Sequence, residues 1–497
     1  MTRASRREVL ELRRQAREWR RGRADTTLME VVSDAYIALF ATTMLSAMAI
    51  SAIHQTRLSI TDSCTTAECS DARFSSAWVC LAAMLAVTLA AGRIIGPVQV
   101  SPAEGSWLLA TPVDRAAVLR PRLALVAVVS ALASGTVGAI ASTLAGFGPP
   151  AIGLVAAGAM ASGLGAAMLA ALAQPRSGWL TRILSWLLGS ATWVALVLIA
   201  ADVMPSAPTS APWSIAAGAS VAGAIWVGGA GLLIAGARSL SRIHRNRLVP
   251  GGALLANLSG ALAGLDLTMM YDILVAQKWL VRATVQPLRG GPKGPWALVW
   301  RDVIRLRRSV SSLLILAAAV VVPYLVDAVD LGTLVVLAGA LTLFGTGVPL
   351  CSALRTTSRN PGLVRCFPMP ASTVRGACLV VPAAASVLWS LAALPAVHAG
   401  TAATWGASTS IAVAMGMTAL AAMARWLLAP PPNYAQGLLS SPAGGIPPGL
   451  AFSLLRGFDV VILASAPILI SPTSTGALVS LLLSAGVLGI VVGRDKS

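Results

Sequence analysis

The chain is dominated by apolar runs of a length that only a lipid bilayer explains. A helix rises about 1.5 Å per residue, so roughly 20 apolar residues cross a ~30 Å hydrocarbon core. Twelve such runs stand out. In the first half they cover about 33–55, 76–96, 122–146, 150–173, 183–204 and 213–236. In the second they cover about 309–329, 332–353, 377–399, 403–426, 457–471 and 474–493. The run containing "FDVVILASAPILI" is the weakest, being short and interrupted by proline. None alternates as a barrel strand does, so the backbone must satisfy itself within helices. Only 11% of residues are charged, against about 25% in soluble domains. The expected fold class is an all-α polytopic membrane protein with about 12 transmembrane helices.

Net charge is +18. Nucleic acid is not the expected partner, because the basic residues punctuate the apolar runs and form no polar domain of their own. With the N-terminus in the cytoplasm, only Arg57 and Arg73 of the 37 lysines and arginines fall on the outer side. That asymmetry is the positive-inside signature, and it predicts a multi-pass membrane protein with cytoplasmic N- and C-termini. Residues 1–24 hold nine arginines, and the first apolar run follows without a small-residue cleavage site, so it reads as a retained anchor.

The cytoplasmic segments carry most of the remaining information. In "REVLELRRQAREWRRGR", Val9, Leu12, Ala16 and Trp19 recur at helical spacing among arginines. In "WALVWRDVIRLRRS", Trp296, Trp300, Val303 and Leu306 share a face, and Arg301, Arg305, Arg307 and Arg308 are set to meet lipid phosphates. Both read as basic amphipathic helices lying on the bilayer surface; a bare orientation signal is the plainer alternative. A cytoplasmic linker of about 238–295 separates a first membrane half, 1–237, from a second, 296–497. Its helical stretch is no thirteenth span, because Asp266 and Asp272 would be costly in lipid. The loop at about 427–456 is rich in proline and glycine, hence built of turns.

Each half has the same order: basic amphipathic helix, two spans, a charged loop with proline, four spans. The matched loops are "EGSWLLATPVDRAAVLRPRL" (104–123) and "PGLVRCFPMPASTVRGACLV" (361–380). At an offset of 256, Pro112 aligns with Pro368 and Val118 with Val374; one further residue of slip aligns Arg120 with Arg375. The expected arrangement is two parallel six-helix repeats.

Catalytic signatures are missing. There is no GxxxxGK[ST], GxSxG, HExxH or EF-hand loop. The three histidines are scattered, and no cysteine spacing suits zinc. The middles of the apolar runs hold no Asp, Glu, Lys or Arg. Ion-coupled transport usually leaves a carboxylate at that depth, so energy is expected from outside the membrane. The chain is not expected to be an enzyme or to hold a catalytic, cofactor or metal site.

The stretch E-x-x-W-L-L-A-T-P-V-D-R-x-x-V-L resembles the loop after the second span of ABC-2-type exporter permeases. The resemblance matches Glu104, Pro112, Asp114 and Arg115 to that family's pattern. The amphipathic helices before each half resemble its connecting helices, and two six-span domains match its architecture. More loosely, the whole chain resembles uncharacterised actinobacterial ABC-transporter membrane proteins with two fused halves, which implies a place in a bacterial cell membrane. The resemblance implies that two separate ATPase subunits, holding ATP and Mg, dock on coupling helices at about 104–119 and 361–375, and that their closure rocks the halves to export a substrate whose identity is open. Arg115 and Arg120 would pair with acids on the ATPase, and Pro368, Pro370 and Arg375 mark the second contact. The second copy departs from the pattern, with Asn360 or Gly362 in place of Glu104, and Pro370 and Ala371 in place of Asp114 and Arg115. An ordinary interfacial loop is the plain alternative.

Two other functions compete: a stand-alone secondary transporter with twelve spans, and a membrane-embedded transferase of envelope biogenesis using Asp62, Glu68 and Asp71. Cys64 and Cys69 share the outer polar loop, at a spacing that allows a disulfide.

Overall fold

A computed structural model describes residues 28–63, 67–107, 109, 114–175, 178–201, 203, 215–263, 266–280, 290–328, 331–429, 439–441, 444–446 and 455–493, with Glu11 and Arg14 besides. Val9, Leu12, Trp19 and Pro112 lie outside the described residues, as does Cys64, and with it the expected disulfide. The regular secondary structure of the described residues is helical apart from two three-residue strands, β1 (Leu439–Ser441) and β2 (Gly444–Ile446), paired antiparallel. They divide into two units: 1–198 with 202–260, and 199–201 with 261–497.

The first unit holds α1 (Leu28–Ser63), α2 (Ala67–Ile94), the short α3 (Pro102–Trp107), α4 (Arg115–Leu144), α5 (Pro149–Ala173), α6 (Trp179–Ala200), α7 (Ile215–Ser239) and α8 (Arg245–Ala263). Lipid tails are as apolar as leucine, so helices in a bilayer associate through close packing of small residues. Gly163 on α5 lets α4 approach. A Cβ there would lie 2.0 Å from Ser134 Oγ and 2.9 Å from the Ser130 carbonyl oxygen. α7 also packs on α5, and α2 packs against both α4 and α5. α6 stands off from its neighbours, and Trp179, Leu180, Trp186 and Leu187 on it are exposed.

The second unit holds α9 (Leu267–Leu280), α10 (Pro295–Arg308), α11 (Val310–Ala318), α12 (Val321–Ala328), α13 (Leu334–Gly347), α14 (Ser352–Arg359), α15 (Pro361–Arg365), α16 (Ala371–Ala392), α17 (Leu394–Thr401), α18 (Trp405–Leu428), α19 (Phe458–Ile470) and α20 (Ser474–Gly493). Here α18 is the central element, packed by α13, α16, α19 and α20. It is alanine-rich, and Met415, Ala419, Ala421, Ala422, Met423 and Ala424 are fully buried. Gly416 admits α16: a Cβ there would lie 2.7 Å from Ser390 Oγ and 3.0 Å from the Ser386 carbonyl oxygen. Thr418 shares hydroxyl contacts with Ser480 (3.3 Å) and Ser484 (3.1 Å) of α20.

Among the described residues, eleven helical segments are long and apolar enough to cross a membrane, α11 with α12 and α13 with α14 each counting as one. Each falls on one of the twelve expected runs. The run at 457–471 is the exception: α19 has 13 residues with Pro467 inside, shorter than a span of that length rule. Neither α8 nor α9 qualifies. Prolines explain the other departures. Pro323 has no N–H for the Ala319 carbonyl, and the seventh run divides there into α11 and α12. Pro395 leaves the Leu391 carbonyl without its donor, so the ninth run, expected to reach 399, ends at Ala392 and resumes as α17.

Candidate functional site

The first loop is braced from every side. Ser101 opens α3, and the two ends of "SPAE" satisfy each other. Ser101 Oγ accepts from the Glu104 amide at 3.2 Å, while Glu104 Oε2 accepts from the Ser101 amide (3.3 Å) and hydroxyl (3.0 Å). This is a capping box with proline at the first helical position. Glu104 Oε2 also takes Arg122 Nη2 from α4 at 2.5 Å. Arg122 Nη1 donates to the Gln99 carbonyl. Burial raises the Glu104 carboxyl, but the hydrogen bond and charge of Arg122, with both Ser101 groups, outweigh it and hold it below the usual glutamate range.

Two further elements grip the same loop. Gln174, after α5, pairs with the Val98 backbone at both ends of its amide: Nε2 to the carbonyl at 2.8 Å, and Oε1 from the N–H at 3.3 Å. α8 lies directly on it. The Val100 N–H reaches the Leu248 carbonyl at 3.3 Å, and Leu248 is fully buried. Backbone meets backbone there because positions 251 and 252 are glycines. A Cβ on Gly251 would sit 1.8 Å from the Ile95 oxygen, and one on Gly252 2.0 Å from the Val100 oxygen. What the sequence presents as linker is, in this unit, the brace of the loop.

α4 then leaves the loop from an N-cap. Asp114 has extended ψ 103 and accepts from the Ala116 N–H at 3.1 Å, a cap worth about 1 kcal/mol. Val118 and Leu119 are buried below it. Arg120 is exposed and Arg115 half-buried; Trp107, at the end of α3, is 81% exposed. Of the expected contact residues, Glu104 and Asp114 therefore serve the loop itself, while Arg115 and Arg120 line its outer rim.

The second loop uses different residues for a similar brace. Asp266 caps α9, accepting from the amides of Thr268 (2.9 Å) and Met269 (3.0 Å). One turn on, Asp272 binds Arg355 of α14, whose Nε donates at 2.6 Å, and Arg359 lies 3.5 Å away. Arg355 Nη2 also reaches the Thr268 carbonyl at 3.0 Å, and its guanidinium lies 4.9 Å from the Tyr271 ring centroid. Arg355 is buried. α15 and the turn to α16 follow. Pro368, Pro370 and Arg365 are exposed, and Val374, the counterpart of Val118, is fully buried. Arg375 turns inward and donates to the Val492 carbonyl at 3.0 Å.

The interfacial reading of α10 is corrected at two residues: Leu306, expected on the face of Trp296, Trp300 and Val303, is buried in the core, and Arg305 turns inward. Trp296, Trp300 and Val303 are exposed on one side. Arg305, expected to meet lipid phosphate, instead turns in to Asp302 (Nε at 2.8 Å) and to the Leu350 carbonyl (2.5 Å). Asp302 is buried on the face packed toward α16 and draws it there. Burial raises the Asp302 carboxyl, and Arg305 offsets that only in part.

Residues 69–437 match DUF6297, described as a family of unknown function. The chain belongs to the DUF6297 family. The DUF6297 region takes in α2 through α18, so both loops and both bracing helices lie inside it, while α1, α19 and α20 lie outside. A comparison with curated proteins finds no match.

Some participants escaped the sequence reading. The S-x-x-E box at Ser101–Glu104 and the Pro-Gly-Gly of α8 were legible as local signals. Arg122, Gln174 and the Asp272–Arg355 pair carry no local signal, since their partners lie 18 to 83 residues away.

Proposed function

We propose that this DUF6297 protein is the transmembrane subunit of an ATP-driven exporter, and that separate ATPase subunits holding ATP and Mg dock on the two loops from the cytoplasm. The observation that carries the reading is the brace. The first loop is tied to α8 by buried backbone contacts, and α14, which leads into the second loop, is tied to α9 by the Asp272–Arg355 ion pair, so a push on either rim is passed to the helices it joins. A loop that merely returned the chain to the membrane needs no such rigidity.

The rims carry groups a partner can hold. Arg115 and Arg120, with the exposed Trp107, offer charge and an aromatic anchor. The second rim presents Arg365, Pro368 and Pro370. The two contacts are unequal, because Glu104 and Asp114 have no counterparts there.

A parallel repeat supports the same reading. Ser130 and Ser134 face Gly163 in the first unit, and Ser386 and Ser390 face Gly416 in the second. Each serine pair stands at the offset of 256 that relates Pro112 to Pro368. Twelve membrane passages follow if α19 crosses as a short, proline-interrupted segment; both termini then lie in the cytoplasm.

Co-expression with an ATPase encoded beside it tests the proposal. The ATPase is expected to co-purify with the chain in detergent. Arg115→Glu with Arg120→Glu should weaken that association by like-charge repulsion, with the fold intact. An ATPase that never associates, or that ignores both loops, would overturn the reading.

A further inference from the structure

The spans of the first unit enclose a second feature, distinct from the loops. Where α2, α5, α6 and α8 end together lies a polar cavity of about 330 Å³. Arg93, Arg182 and Arg247 line it, one each from α2, α6 and α8. Gln174, Thr181 and Asn246 add polar groups, and no carboxylate is among the described residues lining it. Arg93 donates to Ser185 Oγ at 3.1 Å, and its guanidinium lies close enough to Arg182 to feel its charge. The three guanidinium-bearing side chains come from separate elements and line one space, a set of donors that suits an anionic group.

Directly deeper along the same helices the lining turns apolar. A cavity of about 300 Å³ is lined by Leu89 of α2, Leu169 of α5 and Leu184 and Leu188 of α6, with glycines of α5 and α7. It meets a larger apolar cavity of about 380 Å³ through the shared residues Leu85, Ser162 and Ile225. The gap exists because α6 stands off from α2 and α5. Cationic at the membrane interface and apolar within, the groove has the polarity of an amphiphile.

We infer that this groove seats a membrane phospholipid with an anionic headgroup. Its phosphate lies among Arg93, Arg182 and Arg247, and its acyl chains fill the space between α6 and α5. Basic pockets between membrane helices hold acidic headgroups by this combination of charge and apolar fit. The inference rests on the membrane embedding of these helices and not on the exporter reading.

Native mass spectrometry of the purified full chain, offered vesicle-derived phosphatidylglycerol or phosphatidylcholine, tests it. Phosphatidylglycerol is expected to be retained preferentially, with retention falling about five-fold for each arginine changed to glutamine at 93, 182 or 247. Arg238→Gln with Arg242→Gln, outside the cavity, should leave the preference unchanged. Leu184→Trp, which fills the apolar part, should lower retention of both lipids and keep the charge preference. Equal retention of the two lipids by the native chain would overturn the inference. So would displacement of phosphatidylglycerol by millimolar inorganic phosphate with no effect of Leu184→Trp, which would make the cavity a site for soluble phosphate.

Discussion

Gly252→Ala separates the braced loop from an ordinary helix most sharply. Glycine inside a helix costs about 1 kcal/mol relative to alanine, so on helix propensity alone the substitution stabilises α8. The structure predicts the opposite sign. The new Cβ would lie 2.0 Å from the Val100 oxygen, 2.6 Å from its carbonyl carbon and 3.2 Å from the Ser101 nitrogen. All three are backbone atoms, and none can rotate away. Ordinary contact needs about 3.4 Å or more, so helix and loop must separate by over an ångström. Overpacking of this kind costs about 1–3 kcal/mol, and losing the Val100 to Leu248 hydrogen bond adds about 1 kcal/mol. These exceed the propensity gain, leaving a net loss of about 1–3 kcal/mol. Gly260→Ala is the internal control: it lies on the same helix with nothing within 4 Å of the added methyl. Hydrogen exchange in nanodiscs reads both variants at residues 95–105. Gly252→Ala should lose protection there, and Gly260→Ala should keep or gain it. If both variants gain protection alike, α8 does not lie on the loop and the brace is wrong.

Three further outcomes follow from the same contacts. Asp272→Asn leaves Arg355 buried without its carboxylate and should destabilise α9 by about 1–3 kcal/mol, discounted because Asp272 itself is 44% exposed; exchange over 267–280 measures it, and adding Arg355→Leu should recover part of the loss. Because Glu104 is held below its ordinary value, the stability it lends the first loop is complete above about pH 4.3 and falls as pH drops through its lower folded value. Proteolysis of the loop should therefore accelerate on acidification, and Glu104→Gln should be vulnerable at neutral pH and flat across that window. Gly163→Leu drives a side chain into Ser134 and the Ser130 carbonyl, so thermal unfolding in detergent should fall by several degrees, whereas the open Gly158→Leu should change little.

Much of the membrane architecture was legible because lipid imposes a blunt rule on length and polarity. The α18 run reads as a span and is a helix long and apolar enough to be one. The failures came where a proline broke a run, at Pro323 and Pro395, or where thirteen residues at α19 had to be judged against that rule. The loops were legible as places and not as mechanisms. Glu104 and Asp114 stand out in the sequence through their match to the permease-loop pattern. Their carboxylates close a capping box and an N-cap, and the box could have been read from "SPAE". The bracing role of residues 245–280 was hidden because their partners, Val100 and Arg355, come from distant segments. Arg305 misled for the same reason: helical spacing put it on the basic face, and a buried Asp302 one turn earlier turned it inward.

If the loops transmit force from an ATPase, the ATP hydrolysis rate of the reconstituted complex reads that transmission. In lipid vesicles the chain should stimulate its ATPase partner. Arg115→Glu with Arg120→Glu should reduce that stimulation several-fold, and Gly252→Ala, which frees the loop without touching its rim, should uncouple stimulation from binding. A hydrolysis rate unchanged by the chain, or one that ignores both substitutions, would contradict the proposal.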